Sequence, residues 1–247
     1  MQRYFLEIAY KGTAYNGFQI QKNANTIQAE VEKALQTLFK QSFELTGSSR
    51  TDAGVHALQN FFHFDSELQI EQKAIYNLNA ILPADIVAKN IYKVTNDNHS
   101  RFDADARAYK YYIYQNKNAF VADRAYFFPF AINEDALNAT AAIILQHTDF
   151  TSFSKKHTQV NNFICSVKHS FWSKENDCLV YNVKANRFLR GMVRGLVATQ
   201  LKVARDVIST NDFENILLSK DCNNAYFEAP AHGLFLVEVA YPKDLLK

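Results

Sequence analysis

The chain has 247 residues, 48% of them hydrophobic, with 20 Phe and 13 Tyr against a single Trp. That is enough apolar material for a sizeable core in one large domain or two smaller ones, and 7 Gly with 4 Pro leave no room for collagen-like or low-complexity stretches. A formal net charge of +2 does not announce a nucleic-acid binder in bulk, so any RNA surface must come from local concentration of Lys and Arg.

Cys165, Cys178 and Cys222 are odd in number, widely spaced and form no C-x-x-C pair, which argues against a disulfide framework or a structural zinc site and for a reducing, cytoplasmic setting. No apolar run reaches the length of a bilayer span, and the amino terminus runs straight into an alternating pattern, so membrane insertion and secretion are not expected.

In chain order, Tyr4, Leu6, Ile8 and Tyr10 share one face of a strand, followed by turn chemistry at Lys11–Thr13 and Asn16–Gly17. Asn25 with Gln28 resembles a capping box, and Ile27, Val31, Leu35 and Leu38 fall at helical spacing. Phe43 and Leu45 predict a short strand, Gly47 to Gly54 a loop, and Phe61 to Phe64 a further strand. A helix is expected from Glu71 to Leu82, stopped by Pro83, then a strand from Ile86 to Val94.

The second half opens with a strand over Arg107 to Tyr114, with Arg107, Tyr109, Tyr111 and Ile113 on one face. A helix capped by Asn133 to Gln146, strands near Ile164 to Trp172 and Leu179 to Ala185, a long helix over Arg187 to Ala204 and a last strand over Leu234 to Ala240 complete the order. Strands and helices in both halves predict an α+β architecture with antiparallel sheet, divided near residue 105 into segments 1–105 and 106–247.

Three groups of residues carry chemistry. Arg50-Thr51-Asp52-Ala53-Gly54 sets a carboxylate two residues from a guanidinium on a loop that can turn at Gly54; it suits a reactive acid, or simply an Asx-turn beside a surface charge. On the expected long helix Arg187, Arg190 and Arg194 recur on one face, while Phe188, Met192, Leu196 and Val203 line the other. Beyond Arg194 the basic face turns apolar at Val197 and Leu201, which sets Arg194 at the edge of burial. A carboxylate such as Asp52 would satisfy a guanidinium there; the alternative is three solvated arginines. Tyr109, in a strand where packing is the default role, combines with Arg107 and Lys110 into the mixture of aromatic face and positive charge that stacks an unpaired base.

Nucleotide-binding glycine patterns and a G-x-S-x-G elbow are absent, and His56, His63, His147 and His157 show no metal-ligand spacing, so neither cofactor nor metal is expected.

The run RTDAGVHA, Arg50 to Ala57, resembles the signature of TruA-type tRNA pseudouridine synthases. EIAYKGTAYNGFQIQ, NAILPADI, RFDADARAYKYYIY, HTDFTSF, FLRGMVRGLV and APAHGLFLVEVAY resemble further blocks of that family, in its order and over nearly the whole chain. The resemblance implies two α+β domains, each with an antiparallel sheet flanked by helices, around a basic cleft. It also implies a homodimer and uridine at positions 38, 39 and 40 of the tRNA anticodon stem-loop as substrate, with no cofactor.

By the same resemblance Asp52 is the catalytic carboxylate and Arg50 helps displace the base. Tyr109 stacks on the flipped uracil, Arg194 pairs with the aspartate, and Leu234 closes the pocket; Arg187 and Arg190 are candidate contacts to tRNA phosphates. Phe18 stands where the family commonly has Trp, Ala198 where it has Gly, and Ala204-Arg205-Asp206 replaces a segment that often contains glycine. Two rivals are a module that holds tRNA without modifying it, and a carboxylate-dependent glycosidase, which would need a second acid that does not stand out near Asp52.

Overall fold

The computed structural model describes residues 1–156 and 160–246. His157 therefore lies outside the described residues. Two compact units are formed, Met1–Ala106 together with the segment from Phe235 onward, and Arg107–Leu234. The closing strand, assigned by sequence to segment 106–247, thus belongs from Phe235 to the first unit, where it pairs with β3 (His56–Ser66).

The first unit has sheet order β4-β1-β3-β9, from β1 (Gln2–Tyr10), β3 (His56–Ser66), β4 (Ile86–Val94) and β9 (Leu234–Ala240), with the two-residue β2 (Thr46–Gly47) on β3. β1 is antiparallel to β3 and β4, but β9 runs parallel to β3, with His56 opposite Phe235 and Ala57 opposite Leu236. The sheet is mixed rather than purely antiparallel, as the long excursion between β3 and β9 permits; a tight hairpin would have forced the antiparallel arrangement.

Helix α1 (Ile27–Phe39) buries Ile27, Val31, Ala34 and Leu35, the face its spacing predicts. Its N-cap is Thr26, whose hydroxyl accepts from Ala29 N–H, one residue after the expected Asn25. Gln28 instead accepts from Ile20 N–H and donates to Leu45 O, while Glu32 accepts from Leu45 N–H. Those two side chains take both backbone groups of Leu45, which removes them from strand pairing there. Helix α2 (Ala74–Ile81) starts three residues later than expected and has no side-chain cap.

In the second unit the order is β5-β8-β7, from β5 (Ala106–Tyr114), β7 (Val167–Glu175) and β8 (Cys178–Ala185), with β6 (Tyr126–Phe127) parallel to β5. β7 begins later than expected and ends at a two-residue turn, where Glu175 faces Cys178 and Asn176 takes φ +53. Helix α3 (Glu134–Ile144) is capped by Asn133, as its sequence predicts. Helix α4 (Met192–Val203) is buried along both sides, including Val197 and Leu201. Helix α5 (Thr210–Ser219) was not expected from sequence, although Ser209 and Asp212 form a complete capping box at its start.

One buried group makes the first unit pH-sensitive. His63 on β3 bonds Ser100 Oγ through Nδ1 at 2.8 Å, and burial, then the neighbouring His99, lower its pKa to about 4. Held neutral in the fold but free to protonate near pH 6.5 when unfolded, it contributes stability that is full above pH 6.5 and is lost as the pH falls toward 4. Denaturant unfolding at pH 7 and pH 4.5 should show a loss on the order of 2 kcal/mol in the wild type, reduced in His63→Gln. An equal loss in both proteins would remove His63 as the cause.

Candidate active site

The loop between β2 and β3 is held from behind at both ends. Ser48 N–H donates to Phe61 O at 2.8 Å, and Asn60 Nδ2 donates to Ser49 O at 2.8 Å and to the Tyr10 hydroxyl at 3.2 Å. Tyr10 Oη lies 2.8 Å from Thr51 Oγ1, and Thr51 O accepts from Phe18 N–H at 3.1 Å. The turn itself closes by Val55 N–H to Asp52 O, 3.2 Å, with Gly54 at φ +79, the left-handed third position that a type II turn demands.

Two other close approaches fix the loop. A Cβ on Gly12 would stand 2.0 Å from Val55 O, so only glycine lets the chain after β1 pass there, and its N–H donates to His56 Nδ1 at 3.1 Å. Phe18 is buried, stacks on Phe62 with centroids 4.5 Å apart, and fills the space over Gly47. Phe18, where the resemblance implied Trp, is thus a packing residue against Phe62 and Gly47. Thr51 and Val55 are buried, Asp52 is half-buried, and Arg50 is exposed. The arrangement holds the residues on both sides of Asp52, which is itself half-buried.

In the second unit Tyr109 is buried on β5, with the Phe188 ring edge-on at 5.0 Å and 84°. Alternation puts Lys110 on the other face, where it pairs with Glu175 at 2.6 Å. Lys110 therefore does not join Tyr109 in one stacking surface, as the sequence had suggested. Arg107 Nη1 donates to Asn186 O at 3.2 Å.

The expected helix from Arg187 to Ala204 is shorter. Gly191 takes φ +77 as the residue before α4, and Arg190 O accepts from Lys155 N–H, so the backbone before Met192 is not helical. Arg187, Arg190 and Arg194 consequently do not share a helix face. Only Arg194 lies on α4, half-buried in its first turn, with Nε donating to Ala229 O at 2.7 Å. Arg187 is half-buried and Arg190 exposed. Leu234, buried, follows a 3-10 turn at Ala231–Gly233 and donates its N–H to Ala231 O.

Sequence reading passed over Tyr111, fully buried two residues from Tyr109, with its hydroxyl donating to Pro230 O at 2.7 Å. Burial pushes its phenol up, against a smaller opposing pull from the Arg194 charge, so it remains a donor. Asp52 and Arg50 belong to the first unit, and Tyr109, Tyr111, Arg187, Arg190, Arg194 and Leu234 to the second. Cys165 and Cys178 are buried free thiols and Cys222 is half-buried. Among the described residues no three His, Cys, Asp or Glu side chains converge as metal ligands would, and no helix is long and apolar enough to cross a membrane.

Against known families, the chain matches a model described as tRNA pseudouridine synthase over residues 8–103 and 146–242, more than half its length. The chain belongs to the tRNA pseudouridine synthase family. The matched stretches contain Asp52, Arg194 and Leu234, while Tyr109 lies between them. Relatives named tRNA pseudouridine synthase A align almost end to end. That of Parabacteroides distasonis is 40% identical over 247 residues, covering 99% of this chain and 98% of its own. That of Bacteroides thetaiotaomicron is 41% identical, covering 99% and 93%. That of Staphylococcus aureus is 38% identical, again covering 99% and 93%.

Proposed function

We propose that this member of the family isomerises uridine to pseudouridine at positions 38, 39 and 40 of the tRNA anticodon stem-loop, with Asp52 as its catalytic carboxylate. What carries the reading is the loop itself: hydrogen bonds through Ser48, Ser49, Thr51 and Val55 hold the backbone on both sides of Asp52. A loop fixed in this way suits a carboxylate that must meet one atom of a nucleotide in one orientation.

Uracil cannot exchange N1 for C5 on the ribose while it is stacked, so the nucleotide must leave the helix at a cost of a few kcal/mol or so. In this reading Arg50, exposed two residues before Asp52, helps displace the base, and Tyr109 receives it. Asp52 starts cleavage of the N1–C1′ glycosidic bond, the freed uracil turns, C5 bonds to C1′ with the carboxylate released, and the C5 proton passes to a base while N1 takes up a proton. Arg194 supports the carboxylate and Leu234 bounds the pocket on its apolar side. The reading includes a homodimer gripping one tRNA.

Purified protein incubated with unmodified tRNA tests the substrate assignment. Carbodiimide-dependent primer extension should stop at the anticodon stem-loop positions; tRNA that is bound but yields no stops would favour a binding module.

Arg190, exposed just before α4, provides a separate test of the phosphate surface. Each phosphate contact adds about one unit to the slope of log affinity against log salt, so Arg190→Ala should flatten that slope by about one and weaken binding most at low salt. Superimposable salt curves would make Arg190 a solvated side chain.

A further inference from the structure

Helix α4 organises the segment that returns toward β9. Thr199 Oγ1 accepts from Tyr226 N–H at 3.2 Å, the backbone of Gly195 packs so closely that a Cβ would stand 2.8 Å from the Phe227 ring, and Arg194 Nε donates to Ala229 O at 2.7 Å. The next carbonyl, Pro230 O, accepts from Tyr111 at 2.7 Å. Pro230 is extended, φ −60 and ψ 149, so its carbonyl and that of Ala229 point in different directions, and the two donors grip the chain from different sides. Three residues further on, Gly233 packs against the hydroxyl end of the Tyr111 ring, where a Cβ would stand 2.8 Å from Cζ and 3.1 Å from the hydroxyl. Leu234 follows at once.

We propose that Tyr111 is a positioning residue for the uridine pocket, whose hydroxyl and ring fix the Ala229–Gly233 backbone so that the Arg194 guanidinium and Leu234 are held in mutual register. This rests on the reading in which Arg194 and Leu234 act on the uridine. The Nε bond to Ala229 sets the plane of the guanidinium, and the position of Ala229 depends in turn on its neighbour Pro230. A phenylalanine would fill the same space on β5 and pack on Tyr181, opposite in the β5–β8 register. Packing alone therefore does not require the hydroxyl; the Pro230 carbonyl does.

Tyr111→Phe removes that one oxygen and tests the proposal, with single-turnover and steady-state rates measured on unmodified tRNA. The single-turnover rate constant should fall about ten- to a hundredfold, the scale expected when a reacting group is misplaced by up to an ångström. KM for tRNA should change less than about twofold, because remote contacts dominate substrate binding. A purely structural role would instead lower the thermal midpoint or the active fraction and leave the rate constant per active site unchanged.

A double-mutant cycle with Arg194→Lys adds the signature of a shared clamp: the double variant should lose little beyond Arg194→Lys alone. A wild-type rate constant in Tyr111→Phe, or fully additive losses, would overturn the proposal. Should Tyr111→Phe not melt cooperatively, Gly233→Ala, which keeps the hydroxyl but displaces the ring, is assayed in its place; a reduced rate constant supports the clamp and an unchanged one overturns it. If the wild-type protein itself makes no pseudouridine, the underlying reading fails and this proposal with it, an outcome distinct from any variant result.

Discussion

Asp52→Asn is expected to abolish pseudouridine formation, lowering the rate constant by about a thousandfold or more, while tRNA affinity stays within about threefold. The amide is nearly isosteric with the carboxylate, and the backbone bonds that shape the loop, Val55 N–H to Asp52 O among them, do not involve the side chain. The loop should therefore keep its conformation and the RNA surface its charge apart from one unit. Binding by filter retention and turnover by carbodiimide mapping separate the two effects. Near-normal turnover would remove Asp52 from the chemistry, and a large loss of binding would make it a structural residue of the loop.

The second large effect is on folding. Gly12→Ala places a methyl group 2.0 Å from Val55 O, a contact with backbone rather than with a flexible side-chain end. Relief requires moving either the end of β1 or the Asp52 turn, and overpacking against backbone in a buried site costs about 3 kcal/mol or more. For a chain of this size that corresponds to a fall in thermal midpoint of roughly 6 to 12 °C. Activity should drop further than the folded fraction does, because Val55 closes the turn that carries Asp52. A variant that melts like wild type would show that the approach of Gly12 to Val55 is not a constraint.

Part of this architecture is legible in the sequence itself. Ile27, Val31 and Leu35 announced α1 because a single-faced helix writes its period into local sequence, and Asn133 announced the start of α3 through a cap three residues long. The Asp52 loop was legible as a turn because Gly54 supplies the positive φ that the turn demands. Failures arose where distant groups decide. Phe43 and Leu45 look like strand, but Gln28 and Glu32 on α1 take both backbone groups of Leu45.

Gly191 breaks a run that otherwise reads as continuous helix, since a single glycine in a helical pattern does not declare that it will adopt φ +77. That one residue dissolved the inferred arginine face while leaving Arg194 at the edge of burial, as the apolar Val197 and Leu201 had suggested. Lys110 shows the reverse case: alternation along β5 already put it opposite Tyr109, and weighing face before composition would have separated them. The parallel pairing of β9 with β3 and the bond from Tyr111 to Pro230 join positions more than a hundred residues apart, so no local pattern marks them.

Forming a carbon–carbon glycosidic bond to uracil requires that the hydrogen on C5 leave. The most direct measurement is tritium release from tRNA transcribed with [5-³H]uridine, followed with wild-type protein and with Asp52→Asn. Tritium should appear in water with the wild-type protein, rising to no more than the three proposed positions per tRNA, and none above background with the variant. Intact label in tRNA that the wild-type protein demonstrably binds would contradict the proposed reaction.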